Sequence, residues 1–527
     1  MRYDHEYVSI PHVVRSAARR FGDGLALVDG DSRWSFRTLE ERMIEAVKAT
    51  VAAGVRPGDR VGLCAPNSKE WILAALGIQG AGGIVVPLNT RFKAGEQAYI
   101  LRACGARAVF ASSFLGGDYI AALREFDAEL PALGTTVSIL GPRGAADRSW
   151  SEFLAGGAGI ADSDAHAAID RITPDDTADV IFTSGTTGNP KGVILTHGQS
   201  LRAYGWMAEE YTFADSDTIL VIPPFFHCFG YKAGWLMSLM HGVTVVPMAV
   251  FDAGRALETI QRERVSVITG PPTIFHDLLG HPDRGAYDLS SLRVSMTGGT
   301  TIPEALIHAM KAELTFEIVM SAYGLTEASA LVTSTRLGDP ADVVAATTGR
   351  TIPGIEVKLT DDDGTEVAVG QPGEILVRGF TVTRGYWDDP EATAAAIDAD
   401  GWLHTGDVGR FDAAGNLAIV DRKKEMFIVG GFNAYPAEIE KLLLACEPID
   451  QVAVIGVPDA RMGEVGCAFV VAKPGHEVSK DEVVAWARAN MANFKVPRHV
   501  RFVDELPRNA SQKVLKQRLR ARFAEDG

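Results

Sequence analysis

Four apolar runs in this chain end in the same way. DVIFTSGTTG, VSVITGPPT, RVSMTGGTT and FEIVMSAYGLTE, finishing near residues 188, 273, 301 and 327, each pass from strand-like residues into glycine and hydroxyl residues on the carboxyl side. Upstream, RVGLCA, GIVVPL and RAVFAS alternate with helical patterns near 68–80 and 93–103. FRTLEERMIEAVKATVAAG sets Leu39, Met43 and Val47 at helical spacing before Gly54. Apolar strands that alternate with helices fold as parallel sheets covered on both faces, so the fold class is α/β. Open sheets of this kind bind ligands outside the carboxyl ends of their strands, and the four loop-like ends are expected to converge on one cleft. The stretch from about 130 to 175, rich in Ala, Gly and Asp, is expected to be a connecting loop region. From about 355 the pattern turns to β, with IEVKLTDDDGTEVAVG as a hairpin around Asp363 and Gly364, continued by GEILVRG and GNLAIVD. Beyond Asp421 a smaller α+β pattern follows, with a helix after Pro436, strands QVAVIGVPD and GCAFVVAK, and a helix near 480–491. The charge run DRKKE at 421–425 fits either a linker or a solvated turn.

At 527 residues the chain is too long for one core. Its formal charge of -16 gives no general attraction to nucleic acid or to an anionic membrane, so an anionic ligand needs locally arranged donors. The most apolar window, WILAALGIQGAGGIVVPL at 71–88, is broken by Gln79, glycines and Pro87, and predicts a buried helix and strand rather than a membrane segment. The charged N-terminal segment lacks the apolar core of a signal peptide, and the five cysteines are scattered without a C-x-x-C pair. A cytoplasmic protein is expected.

The loop after the first of the four runs, TSGTTGNPKG, combines Thr183, Ser184, Gly185, Thr186, Thr187, Gly188 and Lys191. Glycines let backbone amides approach a ligand and hydroxyls add donors, so the loop fits an anion cradle as well as a solvent turn. The spacing is G-x-x-G-x-x-K, and Lys191 is followed by Gly192 rather than by a hydroxyl residue. A magnesium ligand for a nucleoside triphosphate would have to come from elsewhere.

Five motifs in order carry a resemblance over nearly the whole chain. TSGTTGNPKG (183–192), YGLTE (323–327), GWLHTGDVG (401–409), DRKKEMFIVGGFNAYPAEIE (421–440) and PRNASQKVLK (507–516) resemble the adenylate-forming superfamily of acyl-CoA synthetases, firefly-type luciferases and peptide-synthetase adenylation domains. The resemblance implies a large N-terminal domain, 1–422, of doubly wound sheets plus a β subdomain, holding ATP and the acid. A small, mobile α+β C-terminal domain, 423–527, would follow. It also implies a chemistry: a carboxylate is joined to the α-phosphate of ATP with release of pyrophosphate, and a thiol then displaces AMP. The 183–192 loop would close over the β- and γ-phosphates. Glu327 would hold magnesium and Thr326 would bond phosphate, in keeping with magnesium sites built from one or two carboxylates plus substrate oxygens. Asp407 would accept from both ribose hydroxyls, Tyr323 with Gly324 would meet adenine, and Gly298, Gly299 and Thr300 would border the adenine and acyl pocket. Arg422 would contact the ribose, Lys424 would be the hinge, and Lys513 would neutralise charge between the carboxylate and the α-phosphate. Gly431 would line the pantetheine passage of coenzyme A, and His227 would gate the substrate carboxylate.

Six of these residues also have a plainer reading: a helix-capping acid for Glu327, a turn residue for Asp407, a core aromatic for Tyr323, a core histidine for His227, a surface lysine for Lys513 and a turn glycine for Gly431. Gln512 stands where the family usually has Gly before the lysine, and Ala434 where Val is common. No aspartate occurs from Pro223 to Gly234, which argues against an amino-acid substrate. FFHCFGYKAG and ITGPPTIFHDLL are most similar to actinobacterial ligases acting on the bicyclic propanoate that remains from steroid-ring degradation. Phe229, Tyr231 and Trp235 are expected to crowd the pocket wall, with Lys232 as a polar tip or a surface residue, favouring a compact cyclic acid. The implied function is ATP-dependent acid:CoA ligation. The alternatives are a medium- or long-chain fatty acyl-CoA synthetase, or an acyl-AMP ligase loading a carrier protein. The partners are then the acid, ATP with magnesium, and coenzyme A; a homo-oligomer is compatible with this.

Overall fold

The computed structural model describes residues 8–114, 117–184, 189–298, 302, 304–361, 363–422, 427–473, 475–476, 478–507, 514 and 516–525. The chain divides into two compact units. One comprises Met1–Thr90, Gln97–Phe182 and Gly192–Val420, and the other Arg91–Glu96, Thr183–Lys191 and Asp421–Gly527.

Among the described residues, an eight-stranded sheet reads, in spatial order from one edge, Pro190–Thr196, Thr177–Ser184, Ile84–Pro87, Arg60–Cys64, Ala108–Phe114 and Thr135–Leu140. The last five of these pair in parallel. A nine-stranded sheet has a parallel centre of Leu25–Asp29, Thr244–Pro247, Thr218–Val221, Val267–Gly270, Val294–Gly298 and Ile318–Tyr323. These central strands are almost wholly buried, which is why they read as continuous apolar runs. The four runs with loop-like ends are therefore split between sheets: the strand of DVIFTS belongs to the eight-stranded sheet and the other three are neighbours in the nine-stranded one.

The helices follow their side-chain patterns. Phe36–Ala52 starts on Ser35, whose side chain accepts from Thr38 N, and buries Phe36, Leu39, Met43 and Val47. Lys69–Gly80 is capped by Ser68 and buried on every side from Trp71 onward, Gln79 included, as an all-apolar helix must be. Among the described residues no helix is long and apolar enough to cross a membrane.

Two expectations need correction. The stretch from about 130 to 175 is not a loop region: it holds the strand Thr135–Leu140 and the helices Trp150–Ala155 and Asp162–Asp170. Ala165, Ala168 and Ile169 are buried on one side of the last helix, and Asp162 and Asp164 occupy its first turn, where acidic groups favour the positive helix end. The turn around Gly364 exists, with Asp361 N donating to Thr365 O, but the main partner of Ile355–Thr360 is Gly373–Gly379 and not TEVAVG. These two strands continue through Leu403–Phe411 and Leu417–Arg422 as a four-stranded sheet.

The smaller unit has its own sheet, Phe427–Val429, Phe432–Ala434, Ile449–Asp459, Gly463–Ala472 and His499–Phe502. Its helices are Pro436–Leu443, Lys480–Asn490 and Lys516–Glu525. Phe427, Ile439, Leu443, Val454, Phe469 and Leu519 share one core.

Candidate active site

The Ile318–Tyr323 strand delivers two acidic sites from one end. Tyr323, its last residue, is 9% exposed, and its Oη donates to Asp407 Oδ2 at 2.7 Å. Asp407 is 6% exposed, inside the Leu403–Phe411 strand, just after Gly406, which turns the backbone with φ 71°. Sequence positions far apart thus meet as a carboxylate oriented by a phenol. Charge-assisted bonds of this kind are the strong ones.

Four residues after Tyr323, Glu327 lies in a single 3₁₀ turn, Thr326–Ala328, and is not the capping acid of a longer helix. Its Oε1 accepts from Tyr386 Oη at 2.9 Å, and its carbonyl accepts from Thr383 N at 2.7 Å. The turn is strained in place: Ser329 and Ala330 have φ of 53° and 59°, and Ser329 O accepts from the buried Tyr204 hydroxyl. Gly324 makes room for it, since a Cβ there would come within 2.2 Å of the Ala330 carbonyl carbon. Tyr386 is set by its backbone, which bridges Val193 while Trp387 N donates to Gly192 O.

Sequence reasoning missed Tyr386 and Thr383. GFTVTRGYW offers no periodic signal, and only the glycine and aromatic cluster at 385–387 could have drawn attention. Among the described residues no group of three or more His, Cys, Asp or Glu could hold a metal ion. The single carboxylate of Glu327 suits magnesium that arrives with a triphosphate, because that ion takes one or two carboxylates and keeps the rest of its shell on phosphate and water.

His227 is exposed and caps the short turn Cys228–Gly230, its Nδ1 accepting from Phe229 N at 3.2 Å, so it is not a core histidine. The neighbouring Cys228 is buried, and burial pushes its thiol up to about 12, which makes it a packing group rather than a nucleophile. Gly298 ends its strand, with Ala322 O only 3.1 Å from where a Cβ would be. Thr183 and Lys191 lie in the flanking strands Thr177–Ser184 and Pro190–Thr196. Gly431 is exposed, with Gly430, in the turn between Phe427–Val429 and Phe432–Ala434; the two have φ of 85° and 54°. Gly185, Thr186, Thr187, Gly188, Gly299, Thr300, Lys424, Gln512 and Lys513 lie outside the described residues, as do the side chains of Ser184 and Arg422.

The pocket-wall expectation fails for three of its four residues. Tyr231 and Trp235 are fully buried, stacked with ring centroids 5.0 Å apart and set edge-on to Trp71. Lys232 is neither a polar tip nor a surface residue: it is 0% exposed, and its Nζ lies 3.1 Å from Asp179 Oδ1. Phe229 is partly buried.

A family model described as AMP-binding enzyme matches residues 14–387, and one described as AMP-binding enzyme C-terminal domain matches residues 438–513. The chain belongs to the AMP-binding enzyme family. This AMP-binding enzyme is 49% identical over 522 residues, 97% of this chain and 98% of the relative, to the 3-[(3aS,4S,7aS)-7a-methyl-1,5-dioxo-octahydro-1H-inden-4-yl]propanoyl:CoA ligase of Rhodococcus jostii. It is 48% identical over 513 residues to the ligase of the same name from Mycobacterium tuberculosis, with 97% and 98% of the two chains covered. Among solved structures it is similar to an o-succinylbenzoate CoA synthetase from Bacillus subtilis bound to a product analogue. The TM-score is 0.83 at 27% identity, over 96% of this chain and 97% of that one.

Proposed function

We propose that this AMP-binding enzyme activates the bicyclic propanoate left by steroid-ring degradation, and that it does so in the cytoplasm. The reaction is ATP-dependent ligation of a carboxylic acid to coenzyme A through an acyl adenylate. The observation that carries the reading is the double attachment at the end of the Ile318–Tyr323 strand, which holds Asp407 through Tyr323 and Glu327 through Tyr386. The proposed ribose acceptor and metal ligand are thereby each oriented by a phenol, Tyr323 and Tyr386, as a bound nucleotide requires.

In the first step a carboxylate oxygen of the acid attacks the α-phosphorus of ATP, and the bond to pyrophosphate breaks. Magnesium, when bound, would offset phosphate charge, and Glu327 would hold it. Asp407 accepts from the ribose hydroxyls, Tyr323 stacks on adenine beside Gly324, and Thr326 donates to phosphate. The 183–192 loop, with Lys191, surrounds the outer phosphates, and Gly298, Gly299 and Thr300 leave room for the adenine and acyl groups. Lys513 neutralises the charge developing between carboxylate and α-phosphate. In the second step the sulfur of coenzyme A attacks the acyl carbon and AMP leaves, with the thiol passing Gly431 and the acid held beside His227. The domain 1–422 then holds nucleotide and acid, and 423–527 turns about Lys424, near Arg422, to serve each step. The scattered, buried cysteines support the reducing location; a homo-oligomer is compatible with it.

The substrate is supported by near full-length likeness to two ligases named for that acid. Acid-dependent AMP formation across bicyclic, aromatic and straight-chain acids tests it. The bicyclic propanoate should exceed palmitate in kcat/KM by roughly a hundredfold. Comparable values for the two would remove the basis for a compact cyclic substrate.

A further inference from the structure

The segment that carries His227 is held at both ends by buried polar groups, Asn67 from the loop after the Arg60–Cys64 strand and Gln79 from the Lys69–Gly80 helix. At its start, Asn67, 5% exposed, follows the Arg60–Cys64 strand; its Nδ2 donates to Val221 O at 3.2 Å and to Pro223 O at 2.9 Å, and its Oδ1 accepts from Phe225 N at 2.7 Å. At its end, Gln79 Nε2 donates to Tyr231 Oη at 2.6 Å and to Ala178 O at 3.1 Å. Beside it stands the Asp179–Lys232 pair, with neither residue exposed. Ala178 and Asp179 belong to the strand that enters the glycine-rich loop.

Lys232 is the second residue of a π-helical turn, Tyr231–Leu236. Such turns carry one residue more than an α-turn and occur often at functional sites. This one is pressed onto its own strand, because a Cβ at Gly234 would meet Val221 Cγ1 at 2.7 Å. Relaxation to an α-turn would shift Lys232 out of register with Asp179 and leave two buried charges unpaired. Burial already drives the Asp179 carboxyl upward in pKa, with Lys232 opposing it. A buried pair adds little net stability compared with apolar side chains, and its best-attested use is to fix one arrangement among alternatives.

We propose that Asp179 and Lys232, with Gln79, are positioning residues that lock the π-turn and so fix the His227–Gly230 stretch of the acid site relative to the strand that enters the nucleotide loop. This rests on the reading of His227 as the acid-side residue. The test replaces the pair by apolar side chains in Asp179→Leu/Lys232→Met and measures the urea midpoint, the KM for ATP and the KM for the acid by pyrophosphate release. The double variant should fold and keep its ATP KM within about twofold, while the acid KM rises roughly tenfold to a hundredfold, as a small misplacement does. Preference for the bicyclic acid over octanoate should narrow with it. A folded double variant with the wild-type acid KM and preference overturns the proposal. If the double variant does not fold, Tyr231→Phe keeps the ring and removes the acceptor of Gln79; it should show the same split at about threefold or more, and an unchanged acid KM there overturns the proposal equally. Wild-type protein that releases no pyrophosphate with any acid overturns instead the reading beneath, and does so before any substitution is made.

Discussion

The hydrogen bond between Tyr323 and Asp407 can be weighed directly. Tyr323→Phe keeps the ring, and with it any stacking on adenine, and deletes only the hydroxyl that sits 2.7 Å from Asp407 Oδ2. Both side chains are more than nine-tenths buried, so water cannot readily replace the lost donor. Hydrogen bonds to a charged partner contribute about 1.5–3 kcal/mol, and a loss near 2 kcal/mol lowers the folded-to-unfolded ratio roughly thirtyfold. Asp407→Ala removes the other partner and the rest of its side chain, so each single change also includes effects unrelated to the bond. The double-mutant cycle cancels these and should return a coupling of about 1–2 kcal/mol. Urea denaturation of the four proteins, followed by intrinsic fluorescence at pH 7.5, measures it. A coupling below about 0.5 kcal/mol would refute the reasoning that this phenol orients the carboxylate.

Four further outcomes are expected, two from the structure and two from the proposed roles of Lys513 and Gly431. Glu327→Gln keeps the shape that accepts from Tyr386 but removes the charge, so acid-dependent pyrophosphate release should collapse while the urea midpoint holds; near-normal release at limiting magnesium would require another ligand. Burial holds His197 neutral with a pKa of about 3, against about 6.5 unfolded, and its Nδ1 accepts from Ile10 N. The unfolded chain therefore takes up the proton first as pH falls, and stability drains between pH 6.5 and about 3. The loss is roughly 2 kcal/mol by pH 5, and His197→Asn, which keeps an acceptor, should flatten that part of the pH–stability curve. Lys513→Ala should lower adenylation by roughly 10² to 10³ and spare thioester formation from supplied acyl adenylate. Gly431→Trp should do the reverse, with Gly431→Ala as the control for the backbone cost at φ 85°.

Much of the fold was legible because parallel strands buried on both faces leave unbroken apolar runs. VITG and VSMTG could hardly be anything else once their glycine and hydroxyl ends were noticed. The division of those runs between two sheets was not legible, since pairing across a crossover leaves no local trace. The helix Asp162–Asp170 is hard to read because alanine and acidic residues look like loop composition until the placement of aspartates in a first turn is considered. Asp407, Tyr323 and Glu327 stood in motifs, but the groups that hold the two acids in place did not stand out equally: Tyr386 lies in an irregular segment without periodicity. The Asp179–Lys232 pair does leave a signal in the sequence. Asp179 opens the apolar run DVIF and Lys232 interrupts FGYKAGW, and opposite charges that are both buried must find each other.

The central claim is that an acid and ATP react on this chain before coenzyme A takes part. Acid-dependent exchange of labelled pyrophosphate into ATP, in the absence of coenzyme A, measures that step alone. The account predicts exchange that needs both magnesium and the bicyclic propanoate, and that stops when coenzyme A and a pyrophosphatase draw the adenylate forward. Exchange that is independent of any acid, or none until coenzyme A is added, would contradict it.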